Sequence, residues 1–423
     1  MKRTILTLAM TLPFLLLLGS CELVDVDPKN EQESEGDSTK TVGLDEVAAL
    51  LSSVPLGTQQ VREVYDAVLE SAGNGYDEEY TMAKLFTEPG AGVGSELVKS
   101  SGSGQVKGSG AATKSYSRPL KDLLQEYLAA NGTKTASEMT AEEYLEYLKR
   151  SDIQIYWPYL QENGWDGSTY PVITFDPLSE ASTNEGYLLK EDANGKRYVE
   201  KITVTEEMAM QRPVWVVNNN SDAGNTSLEV MRRNNPDWAG GGVISIKSAS
   251  TGSLDKTHQA TSSTGGKALI LKDFTMNRHY DSWFRGASEF FVKVGAVESF
   301  TAKVESDLYL YSPSITDFMV VVRRSQKGKA VEMNTLLVSD WTSQLDNIAF
   351  MIIEDDGGTI TSWTCSAVVK YNSKSYGFEM TLPYKSRDDI VWRGQLSRRY
   401  IEAGSEVTGN FGDVKLSFEI ESY

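Results

Sequence analysis

Near residue 152 the spacing of apolar residues changes from a period of 3.6 to a period of 2, and this switch fixes the fold class. Upstream of it, Leu44, Val47, Ala48 and Leu51 fall on one helical face, as do Val61, Val64, Tyr65, Val68 and Leu69. Pro55 and Gly57 separate these two helices, and Gly73-Asn74-Gly75 ends the second. A third helix carries Leu120, Leu123, Leu124, Tyr127 and Leu128 and closes at Asn131-Gly132. Thr140 and Glu143 have the spacing of a capping box, in which each side chain satisfies the other's backbone N–H, ahead of Tyr144, Leu145 and Leu148. The expectation is a helical module over 41–150, interrupted at 88–117 by a mobile loop rich in Gly, Ser and Lys.

Downstream, 152–160 and 170–178 alternate like strands, and each runs into a proline. Tyr187–Leu189 and Arg197–Val204 flank Asp192-Ala193-Asn194-Gly195, a hairpin signal because Asn-Gly tolerates the positive φ of a tight turn. Thr205–Met208 reads as one helical turn, Pro213–Val217 as a strand, and 218–242 as a long surface loop. A Ser/Thr/Gly connector at 248–266 precedes a stretch with short strands expected at 268–272, 289–295, 300–310, 317–324, 330–338, 347–353, 363–371, 376–381 and 414–420. Many short alternating strands punctuated by turns predict a sandwich. The 423 residues are enough for two or three domains. The fold expected is α+β and multidomain: a helical N-terminal module, a mixed strand-rich region over 151–260, and an antiparallel β-sandwich over 261–423.

The amino terminus is of another kind. Lys2 and Arg3 precede an apolar run, Ile5–Leu18, of 14 residues, where a membrane-spanning helix needs about 20. The run ends in Leu18-Gly19-Ser20-Cys21, which resembles the lipobox of bacterial lipoproteins. The resemblance implies a signal peptide over 1–20, a diacylglyceryl group on the Cys21 thiol, and an acylated (palmitate-type) amino terminus. The partner so implied is a membrane, held firmly because each buried CH₂ contributes about 0.8 kcal/mol. Residues 22–40 carry seven acids against two lysines and almost no large apolar groups, the composition of a flexible tether. Glu22, Asp25 and Asp27 resemble the acidic signals of lipoproteins sorted to the outer membrane surface, and serve equally as a plain solvated spacer.

Composition excludes more than it assigns. A net charge of −18 with no Lys/Arg-rich block repels phosphate backbones and argues against nucleic acid. With Cys21 committed to lipid, Cys365 has no intrachain partner, so there is no disulfide framework. Two histidines, His258 and His279, are too few for a His-rich zinc site. Zinc-protease, nucleophile-elbow and phosphate-loop motifs are lacking, and no catalytic residue is assigned. A hydrolase with its site between the middle and last regions stays open, since 59 acids offer many carboxylate pairs.

Two site candidates remain. The segment from Ala268 to Gly295 resembles the first strands of a C2-like sandwich, with Asp273 and Asp281 on the intervening loop, and Leu345–Gly358 resembles the strand that carries the second acidic group, Asp355 and Asp356. Calcium, which takes six to eight oxygens, is the cofactor this implies. A hairpin turn at Asp356-Gly357-Gly358 explains the same residues. Trp157 and Trp165, near Tyr156 and Tyr159, are either a ligand platform for a glycan or core aromatics of a sheet edge. Over most of its length the chain resembles a family of uncharacterised Bacteroidetes lipoproteins, through QVREVYDAV, GNGYDEEYTMAKLF and PGAGVG within 60–94, then IQIYWPYLQENGWDG, PVITFDPL and RPVWVVNNN. That resemblance implies a cell-envelope protein that binds or scaffolds an unknown protein or glycan partner, and it implies no activity.

Overall fold

The computed structural model describes residues 41–87, 116–133, 139–192, 196–234 and 266–423. Cys21, the tether, the 88–115 part of the Gly/Ser stretch, Ala193–Gly195 and the connector up to residue 265 lie outside them.

The helices form where the periodicity places them. Helix α1 (Leu44–Ser53) buries Leu44, Val47, Ala48 and Leu51, and α2 (Thr58–Gly73) buries Val61, Val64 and Val68. After a short strand β1 (Glu79–Thr81) come α3 (Met82–Phe86), α4 (Leu120–Asn131) and α5 (Ala141–Arg150). The capping box of α5 is formed: Thr140 Oγ1 accepts from Glu143 N at 3.2 Å, and Glu143 Oε2 accepts from Thr140 N at 2.7 Å. These helices cover one face of a six-stranded sheet made with β2 (Ile153–Tyr156), β3 (Val172–Phe175), β4 (Thr183–Glu191), β5 (Arg197–Thr205) and β6 (Val214–Asn219). Helix α6 (Leu160–Asn163) follows β2, and α7 (Glu206–Ala209) links β5 to β6.

The strand order is β1-β2-β6-β3-β4-β5, with β3 parallel to β6 and the other neighbours antiparallel. β4 and β5 pair as the expected hairpin, and Asp192 Oδ1 accepts from Lys196 N at 2.8 Å at its end. Alternation puts Ile153, Ile155, Trp157, Trp215 and Val217 on the helix-covered face, in one core with Leu51, Val64 and Leu148. The opposite face carries Tyr156, Val172, Val204, Val214 and Val216.

The second half is the expected β-sandwich. One sheet orders β10 (Val331–Val338), β7 (Lys267–Met276), β16 (Val414–Ser422) and β15 (Glu406–Phe411). The other orders β13 (Lys374–Lys385), β12 (Ile360–Tyr371), β11 (Leu345–Glu354), β8 (Ser288–Ala296) and β9 (Ser314–Val322), with β14 (Asp389–Ser397) also on β11. Between the sheets lie Phe274, Phe290, Val292, Phe350, Leu416 and Phe418, where each fully buried side chain contributes about 1.5–3 kcal/mol.

Two expectations are corrected. Residues 300–310 are no strand: Glu305–Leu310 is a 3₁₀ turn, held because Asp307 Oδ2 accepts from Lys303 N and Val304 N, and it leaves Tyr309 and Leu310 exposed. Within the expected loop 218–242, Leu228–Asn234 forms helix α8. The two halves meet through the loop after β7. Its Trp283 and Phe284 pack on the free face of the first sheet, and Asn218 Nδ2 donates to the carbonyls of Phe284 (3.0 Å) and Arg285 (2.7 Å). Residues 41–423 thus make one compact unit. Among the described residues no helix is long and apolar enough to cross a membrane.

Candidate functional site

The four acids of the calcium reading do not form one site. Asp273 lies within β7, opposite Glu332 of β10 and Ser417 of β16. Asp281, in the loop after β7, pairs with Arg285 at 3.7 Å and faces Glu354. Asp355 is buried and bound by Lys385 Nζ at 2.7 Å and 2.9 Å, while its Oδ1 also accepts from Gly357 N. Asp356 is exposed, and its N–H donates to Asp388 Oδ1 at 3.2 Å. Gly357 and Gly358 have φ of 74° and 104°, so this segment is the glycine turn of the alternative reading. Among the described residues no three His, Cys, Asp or Glu side chains are arranged to hold a metal ion. Cys365 is half-buried on β12, and burial pushes its thiol up to about 11, which keeps it unreactive. Burial and the nearby Arg324 hold His279 down at about 4, so it is neutral at pH 7.

A group of buried acids escaped the sequence reading altogether. Asp77, Glu78 and Glu79 are consecutive and all buried where the two halves meet. Asp77 Oδ2 accepts from Ala287 N at 2.9 Å, and Glu78 accepts from Tyr159 N at 2.9 Å and Gln161 N at 2.7 Å. Asp222 and Glu289 face them, Glu354 adjoins Glu289 and Asp281, and Ser221 donates to Glu289 at 2.8 Å. Burial raises every one of these carboxyls, to about 8 for Glu78 and about 7 for Asp222, and neighbouring acids add to it. Asp77, Glu289 and Glu354 are at most 3 % exposed. An acidic run in sequence looks solvated; only the tertiary contact buries it.

The candidate cavity lies instead at the edge of the first sheet and joins Trp157 to Trp165. It measures about 180 Å³ and lies between the turn 157–169 and the segment 209–213 that enters β6. Trp157 continues the inward register of β2, and its ring meets Trp165 at 6.4 Å and Trp215 at 6.0 Å, both edge-to-face. The tryptophans therefore pack in the core, as the second reading has it, and they also line a cavity. Trp165 is half-buried, its Nε1 donates to Thr169 O at 2.8 Å, and Arg62 stacks 4.7 Å from its ring centre. The rim residue Tyr159 has φ of 61°, a left-handed conformation that costs a non-glycine residue about 1–2 kcal/mol. The buried Glu78 carboxyl, receiving the N–H groups of Tyr159 and Gln161, holds that bend in place.

The polar groups of the wall are unequal. Asp166 is satisfied by Ser168 N, Thr169 N and Thr169 Oγ1, which hold its carboxyl well below the usual range. Arg212 donates from Nη2 to Tyr170 O at 3.2 Å and makes no ion pair among the described residues. Burial alone lowers its proton affinity. The sequence marked the tryptophans but not Arg212, which a pattern search reads as one of 41 scattered cations. Compared with known proteins, the chain matches no family model, and no curated protein matches it.

Proposed function

We propose that the chain is a lipid-anchored protein of the cell envelope, placed in the outer membrane through Cys21, whose body binds a small glycan ring in the cavity at Trp157 and Trp165. The address rests on the short apolar run ending in Leu18-Gly19-Ser20-Cys21, and the acids Glu22, Asp25 and Asp27 and the resemblance to envelope lipoproteins support it. The single observation that carries the binding reading is a preformed cavity whose wall unites two tryptophans with polar groups on a strained, buttressed turn. A volume of about 180 Å³ suits one ring, since roughly 150 Å³ accommodates benzene. The C–H face of a sugar packs on an aromatic surface, and amide and guanidinium groups meet its hydroxyls.

Mass spectrometry of the mature amino terminus tests the address: a diacylglyceryl thioether on Cys21 is expected, and an unmodified Cys21 overturns it. Binding is tested on the full chain in detergent, with a panel of monosaccharides read by intrinsic tryptophan fluorescence. A saturable change that Trp165→Ala removes is expected, and no change with any sugar overturns the cavity as a site.

A further inference from the structure

Within the cavity, one charge has nothing to balance it. The wall comprises Trp157, Trp165, Tyr159, Asn163, Asp166, Gln211 and Arg212 among others. Arg212 stays protonated at any physiological pH, yet it sits half-buried with no carboxylate in ion-pair reach among the described residues. Elsewhere Arg324 pairs with Glu206 at 2.6 Å, Arg285 with Asp176 at 3.6 Å and Arg232 with Glu229 at 2.7 Å, while half-buried Arg323 forms no ion pair among the described residues but faces the buried Asp77. In a chain with 59 acids and 41 basic residues, a counter-ion is easy to provide, and none is provided among the described residues. Asp166 is the wall's own carboxylate, but both its oxygens are turned to the 168–169 turn. The guanidinium is held in place by Tyr170 O, and it follows directly on the residues that close the cavity floor, with Pro213 O accepting from Val172 N at 3.0 Å. It is an oriented cation at the entrance to β6, in the wall of the same cavity as the two tryptophans.

We propose that the cavity takes a monosaccharide ring bearing a carboxylate, a uronic acid, and that Arg212 is the residue that selects the charged sugar over its neutral counterpart. This inference rests on the glycan-binding reading above and narrows it. The chain's net charge of −18 repels an anion at long range, so selection has to come from a contact at the site. A charge-assisted hydrogen bond from a half-buried guanidinium supplies such a contact, and it is stronger than a neutral one. Gln211 in the wall is left for ring hydroxyls, while Asn163 Nδ2 already donates to Met210 O at 3.1 Å and has its amide oxygen left to accept.

Full chain is titrated with galacturonate, glucuronate, galactose, glucose and benzoate, following tryptophan fluorescence at low and high salt. A uronate is expected to bind at least about tenfold more tightly than its neutral sugar, a difference of about 1.4 kcal/mol. Added salt should narrow that difference, and Arg212→Gln should abolish it, so that the uronate binds no more tightly than its neutral sugar. Equal affinity for charged and neutral sugars in the native protein overturns the role of Arg212 and leaves glycan binding standing. Benzoate binding as well as uronate overturns the sugar as the ligand class. Binding of none of the five overturns both readings. The comparison of ligands on the native protein does not depend on any variant folding.

Discussion

Lys385 holds the charge of Asp355 inside the fold. The carboxylate is almost wholly buried, and the ammonium reaches both of its oxygens from the end of β13. Removing one partner of a buried pair leaves an uncompensated charge, which costs about 3–5 kcal/mol at full burial. The lysine side chain is 38 % exposed, so solvent screens part of this. Lys385→Met is expected to lower stability by about 2 kcal/mol in urea denaturation, and Lys385→Met with Asp355→Asn should recover most of the loss. The same geometry bears on calcium. An ion at Asp355 would have to displace Lys385, and Asp273 lies in the other sheet, within β7 opposite Glu332 and Ser417. Millimolar calcium is therefore expected to leave the melting temperature unchanged; a calcium-dependent rise would restore the metal reading.

At the scale of the element, β4 depends on a residue that its sequence disguises. Gly186 lies mid-strand between Thr174 of β3 and Ile202 of β5. A Cβ there would lie 2.9 Å from the carbonyl oxygen of Ile173 and collide with Val204. Any side chain must push β3 and β5 apart, and overpacking of this kind costs about 1–3 kcal/mol. Gly186→Val is expected to lower the urea midpoint and to speed amide exchange in β4 and β5 while the sandwich strands keep their protection. The same glycine explains why the strand could be read from sequence only from Tyr187 onward, since a glycine in a strand pattern looks like punctuation. Where a local rule suffices, sequence was enough: the Thr140–Glu143 box, the apolar faces of α1 and α2, and the hairpin that closes at Asp192 and Lys196 all formed. Where a tertiary contact decides, it was not. The 300–310 segment alternates like a strand, but Asp307 captures two backbone N–H groups and turns it. At the cavity, Trp157 and Trp165 announced themselves by residue type, whereas Arg212 and the left-handed Tyr159 acquire meaning only from what surrounds them.

Across the whole molecule, the halves are joined through acids, and this sets how stability responds to pH. Asp77 and Glu79 from one half meet Glu289 from the other, with Asp222 between them and Glu354 next to Glu289. The cations facing this group are Arg323 and Arg324, which act on Asp77, Lys84, which acts on Glu79, and Arg285, which acts on Asp281. They do not offset burial, because every carboxyl named here is raised. In the unfolded chain these acids lose their protons near pH 4, while in the folded protein Asp222 and Glu78 keep theirs to about 7 and 8. The folded state thus binds more protons between those limits. The stability these groups contribute is fully present below about pH 4 and is lost as pH rises through 7 and 8. Each group adds a slope of up to about 1.4 kcal/mol per pH unit inside its window. Glu206, ion-paired with Arg324 and lowered, acts in the opposite direction and loses its contribution as pH falls through its folded value. The melting temperature is therefore expected to peak near pH 5 and to fall steadily towards pH 8. Glu289→Gln, which puts a neutral amide where a buried carboxylate would form, should flatten the alkaline side of that profile. A profile that stays level or climbs between pH 5 and pH 8 would mean that the junction holds its acids ionised, and that Asp77, Asp222 and Glu289 are balanced by charges other than Arg323, Arg324 and Arg285.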